Sequence, residues 1–145
     1  MLRHARTLRY RDPRAGSSMV EFALVGIIVL MLVIGIFEVG RTVWNYNTLA
    51  YAARQASRYA SVRSNLGAAN YSVTPNPIDT VVFANAAGLD PAQLTVTKTW
   101  TPDNSPGGRV QITVSYPVDL IAAPLFAAGT PHLTVKASST LTILN

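Results

Sequence analysis

The chain has 145 residues, enough for one small domain and an anchor. It contains no cysteine, which excludes disulfides, zinc–thiolate sites and a thiol nucleophile. The net charge is +5, but residues 1–16 hold five arginines against Asp12 alone and the remainder is nearly neutral; the basic stripe that nucleic-acid binding needs on a folded domain is missing.

The chain opens with a basic tail, Arg3, Arg6, Arg9, Arg11 and Arg14, which ends in Ala15-Gly16-Ser17-Ser18-Met19-Val20-Glu21. An apolar run without charge or proline follows from Phe22 to Phe37. With Met19, Val20, Val39 and Gly40 it reaches the roughly 20 residues that span a bilayer. The run contributes a few tenths of a kcal/mol per residue on insertion scales, which outweighs one carboxylate at its edge. The arginines keep the tail in the cytoplasm and direct everything after Arg41 to the other side. A buried carboxylate costs roughly 2.5 to 3.5 kcal/mol near a helix centre and less near the interface, so Glu21 needs a cationic partner. A cut after Gly16 would create one, the α-amino group of Ser17, with a pKa of about 8. An ordinary secretory signal peptide also starts basic and apolar, but its cleavage site lies after the apolar stretch. Here the pattern runs on through Glu38, Arg41 and Trp44 with no turn residue. An uncleaved anchor carrying a periplasmic binding domain is the other alternative.

No proline stands between Pro13 and Pro75, and the helical pattern runs from about Ser17 to Arg63, roughly 70 Å of helix. Its outer part is rich in alanine. Positions 39, 43, 46, 50, 53, 57 and 60 form a stripe of Val, Val, Tyr, Ala, Ala, Ser and Ala. Small residues at this spacing admit a close neighbour. The lower half of the stripe is expected to face other subunits and the upper half the protein's own sheet. Glu38 and Arg41 stand three residues apart at the outer membrane edge, where a local ion pair would contribute a few tenths of a kcal/mol.

Residues 64–74 read as a loop. Asn76-Pro77-Ile78-Asp79 reads as a helix start, with Asn as cap and Pro in the first turn, and Gly88 as the stop. The period then changes to two. Leu94, Val96 and Trp100 alternate with threonines, and Lys98 interrupts the inner face. Val110 to Tyr116 alternate likewise after a Pro/Gly-rich loop, and a third strand begins at Leu133. One dry and one wet face indicate an antiparallel sheet covered on one side, with the long helix as cover. The apolar segment Leu120–Gly129 is a core element or a contact surface. The expected fold is therefore α+β and pilin-like. Its divisions are a leader over 1–16, a long helix over 17–63 that is transmembrane at about 20–40, and a periplasmic domain over 64–145.

Gly16, Glu21-Phe22, the apolar helix, Phe37-Glu38-Val39-Gly40-Arg41 and Ala52-Ala53-Arg54-Gln55-Ala56-Ser57-Arg58-Tyr59-Ala60 together resemble the TadE-like family. These are minor pilins or pseudopilins of the tight-adherence (Flp, type IVb) pilus machinery. The resemblance implies an inner-membrane protein with its domain in the periplasm, cut between Gly16 and Ser17 by a prepilin peptidase, with Glu21 fifth in the mature chain. It implies other pilin-like subunits, the inner-membrane assembly platform and lipid as partners. Phe22 and the sizeable domain favour a minor pilin over the short major ones. Glu21 could pair with a neighbouring subunit's amine and set the axial stagger, pair with its own, or serve recognition alone; Glu21, Phe22, Glu38 and Arg41 are the candidate assembly residues.

No phosphate-binding loop, nucleophile elbow or paired-carboxylate motif occurs. His132 would be the one histidine left after loss of the leader, and the aspartates show no ligand spacing. The expectation is a non-enzymatic protein without metal or cofactor.

Overall fold

The computed structural model describes residues 14–63, 76–121 and 132–144. Most of the leader, the loop expected over 64–74 and residues 122–129 of the apolar segment lie outside the described residues. The elements in order are α1 (Arg14–Arg63), α2 (Pro77–Asn85), a 3-10 turn (Pro91–Gln93), and strands β1 (Thr95–Thr101), β2 (Arg109–Asp119) and β3 (His132–Thr142). The chain divides into two compact units between Ile36 and Phe37. In the first, every described residue from Gly16 to Ile36 except Ile34 is exposed, including Val20, Phe22, Leu24, Ile28 and Leu32.

The second unit is an α+β domain. Its sheet is antiparallel in the order β1-β2-β3. Alternation sorts the two faces. Val110, Ile112, Val114 and Val118 of β2 are buried, as are Val135 and Ala137 of β3. Burying each of the valines and the isoleucine stabilises by about 1.5–3 kcal/mol. Thr95, Thr97, Thr99 and Thr101 of β1 and Thr134, Thr140 and Thr142 of β3 stay exposed on the other face. The cover is α1, whose Leu49, Ala52, Ala53, Ala56 and Ala60 join the same core.

Two polar ties fix helix to sheet. The Ser57 hydroxyl donates to the Arg54 carbonyl at 3.0 Å, so the Ser139 hydroxyl, 2.8 Å away, donates to Ser57. The Leu144 N–H donates to the Ser61 carbonyl at 3.0 Å. Ser61 lies in the last turn of α1, where carbonyls lack an intrahelical donor.

Asn76 caps α2 by accepting from the Ile78 N–H at 2.9 Å, with Pro77 in the first turn. Ile78, Val82, Ala86 and Leu89 are buried. The helix ends at Asn85, ahead of the expected stop; Gly88, at φ +81, serves the turn that follows. The lysine that interrupts the inner face of β1 has a partner: Lys98 Nζ lies 2.7 Å from Asp79 Oδ1 of α2, both largely shielded.

β2 runs three residues past the expected end at Tyr116, through Pro117. Pairing with β1 stops at Ser115, so Pro117 has β3 as its single neighbour, a place where a missing N–H is tolerated. β3 begins at His132, one residue before the expected start at Leu133; it registers with Asp119, and their side chains are hydrogen-bonded.

The β1–β2 loop is built on Asp103, whose carboxylate accepts from the Ser105 hydroxyl at 2.6 Å and the Ser105 N–H at 3.1 Å. Gly107 has φ +89, and a Cβ on Gly108 would stand 2.7 Å from the Asp103 carbonyl oxygen and 3.0 Å from that of Ser105. The N–H of Gly107 and the carbonyl of Gly108 bond Ile143, which extends the sheet contact beyond β3.

Because the atoms facing Gly108 are backbone, Gly108→Ala is expected to destabilise the domain by about 1–3 kcal/mol. Thermal unfolding of the detergent-solubilised full chain measures it; Gly40→Ala, where nothing lies within 4 Å, meets no such clash. The Ser105 hydroxyl, then the Ser105 N–H, hold the Asp103 carboxyl below its ordinary pKa. A lowered folded-state pKa stabilises above the unfolded value of about 3.9, and that contribution fades as pH falls through the folded value. Ser105→Ala should move the Asp103 carboxyl titration, followed by carbon NMR, upward.

Candidate assembly and membrane site

Gly16 and Ser17 lie in one turn near the start of α1 and Glu21 one turn on, all exposed. Residues four apart on a helix are neighbours on one face, so Ser17 and Glu21 are about 6 Å apart along the axis. A side chain at Gly16 would meet no atom within 4 Å. Phe22 is exposed and opens the apolar run. α1 is long and apolar enough to cross a membrane, and none of its most apolar 18-residue stretch is buried.

Glu38 and Arg41 lie in the second unit, on neighbouring turns. Glu38 is partly buried, and its backbone carbonyl accepts from the Thr42 hydroxyl at 2.9 Å. Arg41 is exposed, and its Nη1 donates a long 3.5 Å bond to the backbone carbonyl of Asp119 at the end of β2. Asp119, 78 positions away, carried no sequence signal for this contact; two partners that meet through tertiary folding leave no spacing to read.

The small-residue stripe divides near Ala50. Val39, Val43 and Tyr46 are exposed, whereas Ala53, Ser57 and Ala60 are fully buried. The upper half thus faces the protein's own sheet, as its small side chains led us to expect. Arg54 and Arg58 remain exposed on another face. Among the described residues no group of three or more His, Cys, Asp or Glu side chains is placed to hold a metal ion.

The described residues thus combine an α+β domain with a long covering helix whose first part is exposed and apolar enough to cross a bilayer. The chain carries a TadE-like segment: the family model described as TadE-like protein matches residues 16–58, which confirms the resemblance read from the sequence. That match implies a pilin-like component of the Tad pilus system, a structural family that works with other pilus components. No curated protein and no solved structure matches the chain.

An exposed carboxylate at the edge of an apolar run opposes insertion, so Glu21→Val should leave membrane association at least as strong. Resistance of the full chain to alkaline carbonate extraction measures it, and a variant released more readily than the parent would contradict this electrostatic account.

Proposed function

We propose that this protein is a minor pilin, or pseudopilin, in the assembly of a tight-adherence type IVb pilus. It is inserted in the inner membrane with its first residues in the cytoplasm and its sheet domain in the periplasm. A prepilin peptidase cuts between Gly16 and Ser17. The freed Ser17 amine of one subunit then meets Glu21 of the next, and the lower stripe, Val39, Val43 and Tyr46, faces neighbouring pilin-like subunits from the outer edge of the membrane outward. The assembly platform of the inner membrane is the further partner.

What supports the reading most is the TadE-like match, which begins at Gly16 and takes in Glu21, Phe22, Glu38 and Arg41. The chemistry is consistent with it. A charge at the edge of hydrocarbon seeks a counter-charge, and the new amine is cationic at pH 7. The exposure of Gly16, with open space around its Cα, leaves room for an enzyme to approach that bond.

N-terminal sequencing of membrane-purified protein should return Ser17 as the first residue. Gly16→Leu should abolish processing and leave the full-length species, and because a side chain there meets nothing, misfolding cannot explain the loss. Glu21→Val should be processed and inserted yet co-isolate less with other pilin-like subunits, by roughly tenfold if the lost pair contributed about 1.4 kcal/mol. A Glu21→Val subunit that still co-isolates and supports pili would remove charge pairing from the account.

A further inference from the structure

We propose that the groove between α1 and the outer edge of β3 is a docking site for an extended acidic segment of a partner protein, laid along β3 with two carboxylates, two residues apart, on Arg54 and Arg58. The site lies wholly within the unit from Phe37 onward and owes nothing to cleavage at Gly16.

Arg54 and Arg58 are one turn apart on α1, about 6 Å along the axis, and both are exposed. Like charges at that spacing repel. Among the described residues neither guanidinium has a hydrogen-bond or ion-pair partner. The carboxylates of the domain are committed elsewhere. Asp79 pairs with Lys98 and Asp119 with His132, Asp103 holds Ser105, and Asp90 accepts from the Ala92 N–H. Glu38 lies about 24 Å further down α1. Residues 64–75 and 122–131 contain no Asp or Glu, so neither segment can supply a counter-charge. The domain therefore presents two guanidiniums with no built-in anion, and each can hold a carboxylate through two parallel N–H···O bonds.

The opposite wall of the groove is β3. Ser139 and Leu141 register with buried Ile112 and Val110 and so belong to the inner face of the sheet, yet Leu141 is 37% exposed. With Tyr51, Gln55 and the two arginines they line a cleft of about 430 Å³. Among the described residues no strand pairs with β3 on the side away from β2, so alternate N–H and C=O groups of that edge are open to an incoming strand. The directions agree. Arg41 and Ser57 stand about 24 Å apart on α1. The strand positions they meet, His132 through its register with Asp119 and then Ser139, are about 23 Å apart along β3. Strand and helix thus run alongside each other. A strand added to β3 would turn alternate side chains toward α1 about 6.6 Å apart, close to the spacing of the two arginines. No two acidic residues of this chain stand two positions apart, so a second copy lacks the required pair and the partner is a different protein. A free phosphate would meet the arginines but leave the strand edge and Leu141 unused.

The probe is a fluorescein-labelled peptide, Thr-Thr-Glu-Thr-Glu-Thr-Thr, added to the detergent-solubilised full chain. One control replaces both glutamates by glutamine, and a second, Thr-Thr-Glu-Glu-Thr-Thr-Thr, sets them side by side so that a strand would turn them to opposite faces. Fluorescence anisotropy should show the alternating acidic peptide bound roughly tenfold more tightly than either control, a difference that Arg54→Gln with Arg58→Gln removes. Arg54→Glu with Arg58→Glu should transfer the preference to Thr-Thr-Lys-Thr-Lys-Thr-Thr, which a misfolded variant would not do. Bound peptide should slow hydrogen exchange at the amides of β3 and leave those of β1 unchanged. Equal binding of the alternating and side-by-side acidic peptides would reduce the site to a general anion contact and overturn the proposal. So would slowed exchange at β1 in place of β3, or no preference for the acidic peptide up to about 1 mM.

Discussion

One α-helix has to satisfy two surroundings, and the size of its side chains decides which residues meet which. From Phe22 to Phe37 the side chains are mostly Leu, Ile, Val and Phe, and hardly any is even partly covered. From Leu49 to Ser61 the fully buried residues are, after Leu49, only alanines and serines, with Tyr59 and Ala50 packed at the margin of the core. Both stretches are helical, but they do different work. Long aliphatic chains gain most from leaving water and need no specific partner. Alanine and serine gain little from transfer; they remove bulk, so that the helix backbone can lie against a sheet that supplies the apolar volume. The valines and isoleucines of β2 and β3 do that, and the Ser57–Ser139 hydrogen bond at 2.8 Å records how near the two layers come.

This division explains which parts of the structure could be read from the sequence. The helix α1 was legible because no proline interrupts it and its composition changes in one place. The cap at Asn76 and the alternation of β1 and β2 were legible because each is a local rule. The misplaced boundaries have local physics as well. The second strand was expected to end at Tyr116, yet β2 continues through Pro117 because β1 no longer runs beside it there and the missing donor goes unused. Gly88 suggested a helix stop, but α2 had already ended at Asn85, where the side chain folds back to donate to the Val81 carbonyl at 2.8 Å. The third strand was expected to start at Leu133, and the place of His132 in β3 follows from its register with Asp119.

Pairings across the fold were not legible. Lys98 was visible as a fault in an otherwise apolar face, and that fault was the signal that a partner must exist; nothing in the sequence named Asp79. The pair lets a charged side chain occupy the inner face because the ammonium keeps a counter-ion and a hydrogen bond as water leaves. Arg41 with Asp119, and Ser57 with Ser139, are of the same kind. Of the candidate site, the residues on α1 could be found from their spacing along one helix, whereas the hairpin end that approaches Arg41 could not.

The position of Glu21 within α1 bears on what cleavage would accomplish. In the structure α1 begins at Arg14, so Glu21 stands two turns inside the helix. The positive end of a helix dipole acts within about the first turn, so at that depth it does little for a carboxylate. Removing residues 1–16 would shift the start of the helix to Ser17. Glu21 would then come within about one turn of the dipole's positive end and of a full positive charge on the new amine. On this argument proteolysis would do more than trim a leader. It would convert a carboxylate that burdens the apolar helix into half of an ion pair, available to its own terminus or to a neighbour's. In a medium of low dielectric, where such a pair is screened least, a partner on a neighbouring helix would set the alignment of the two.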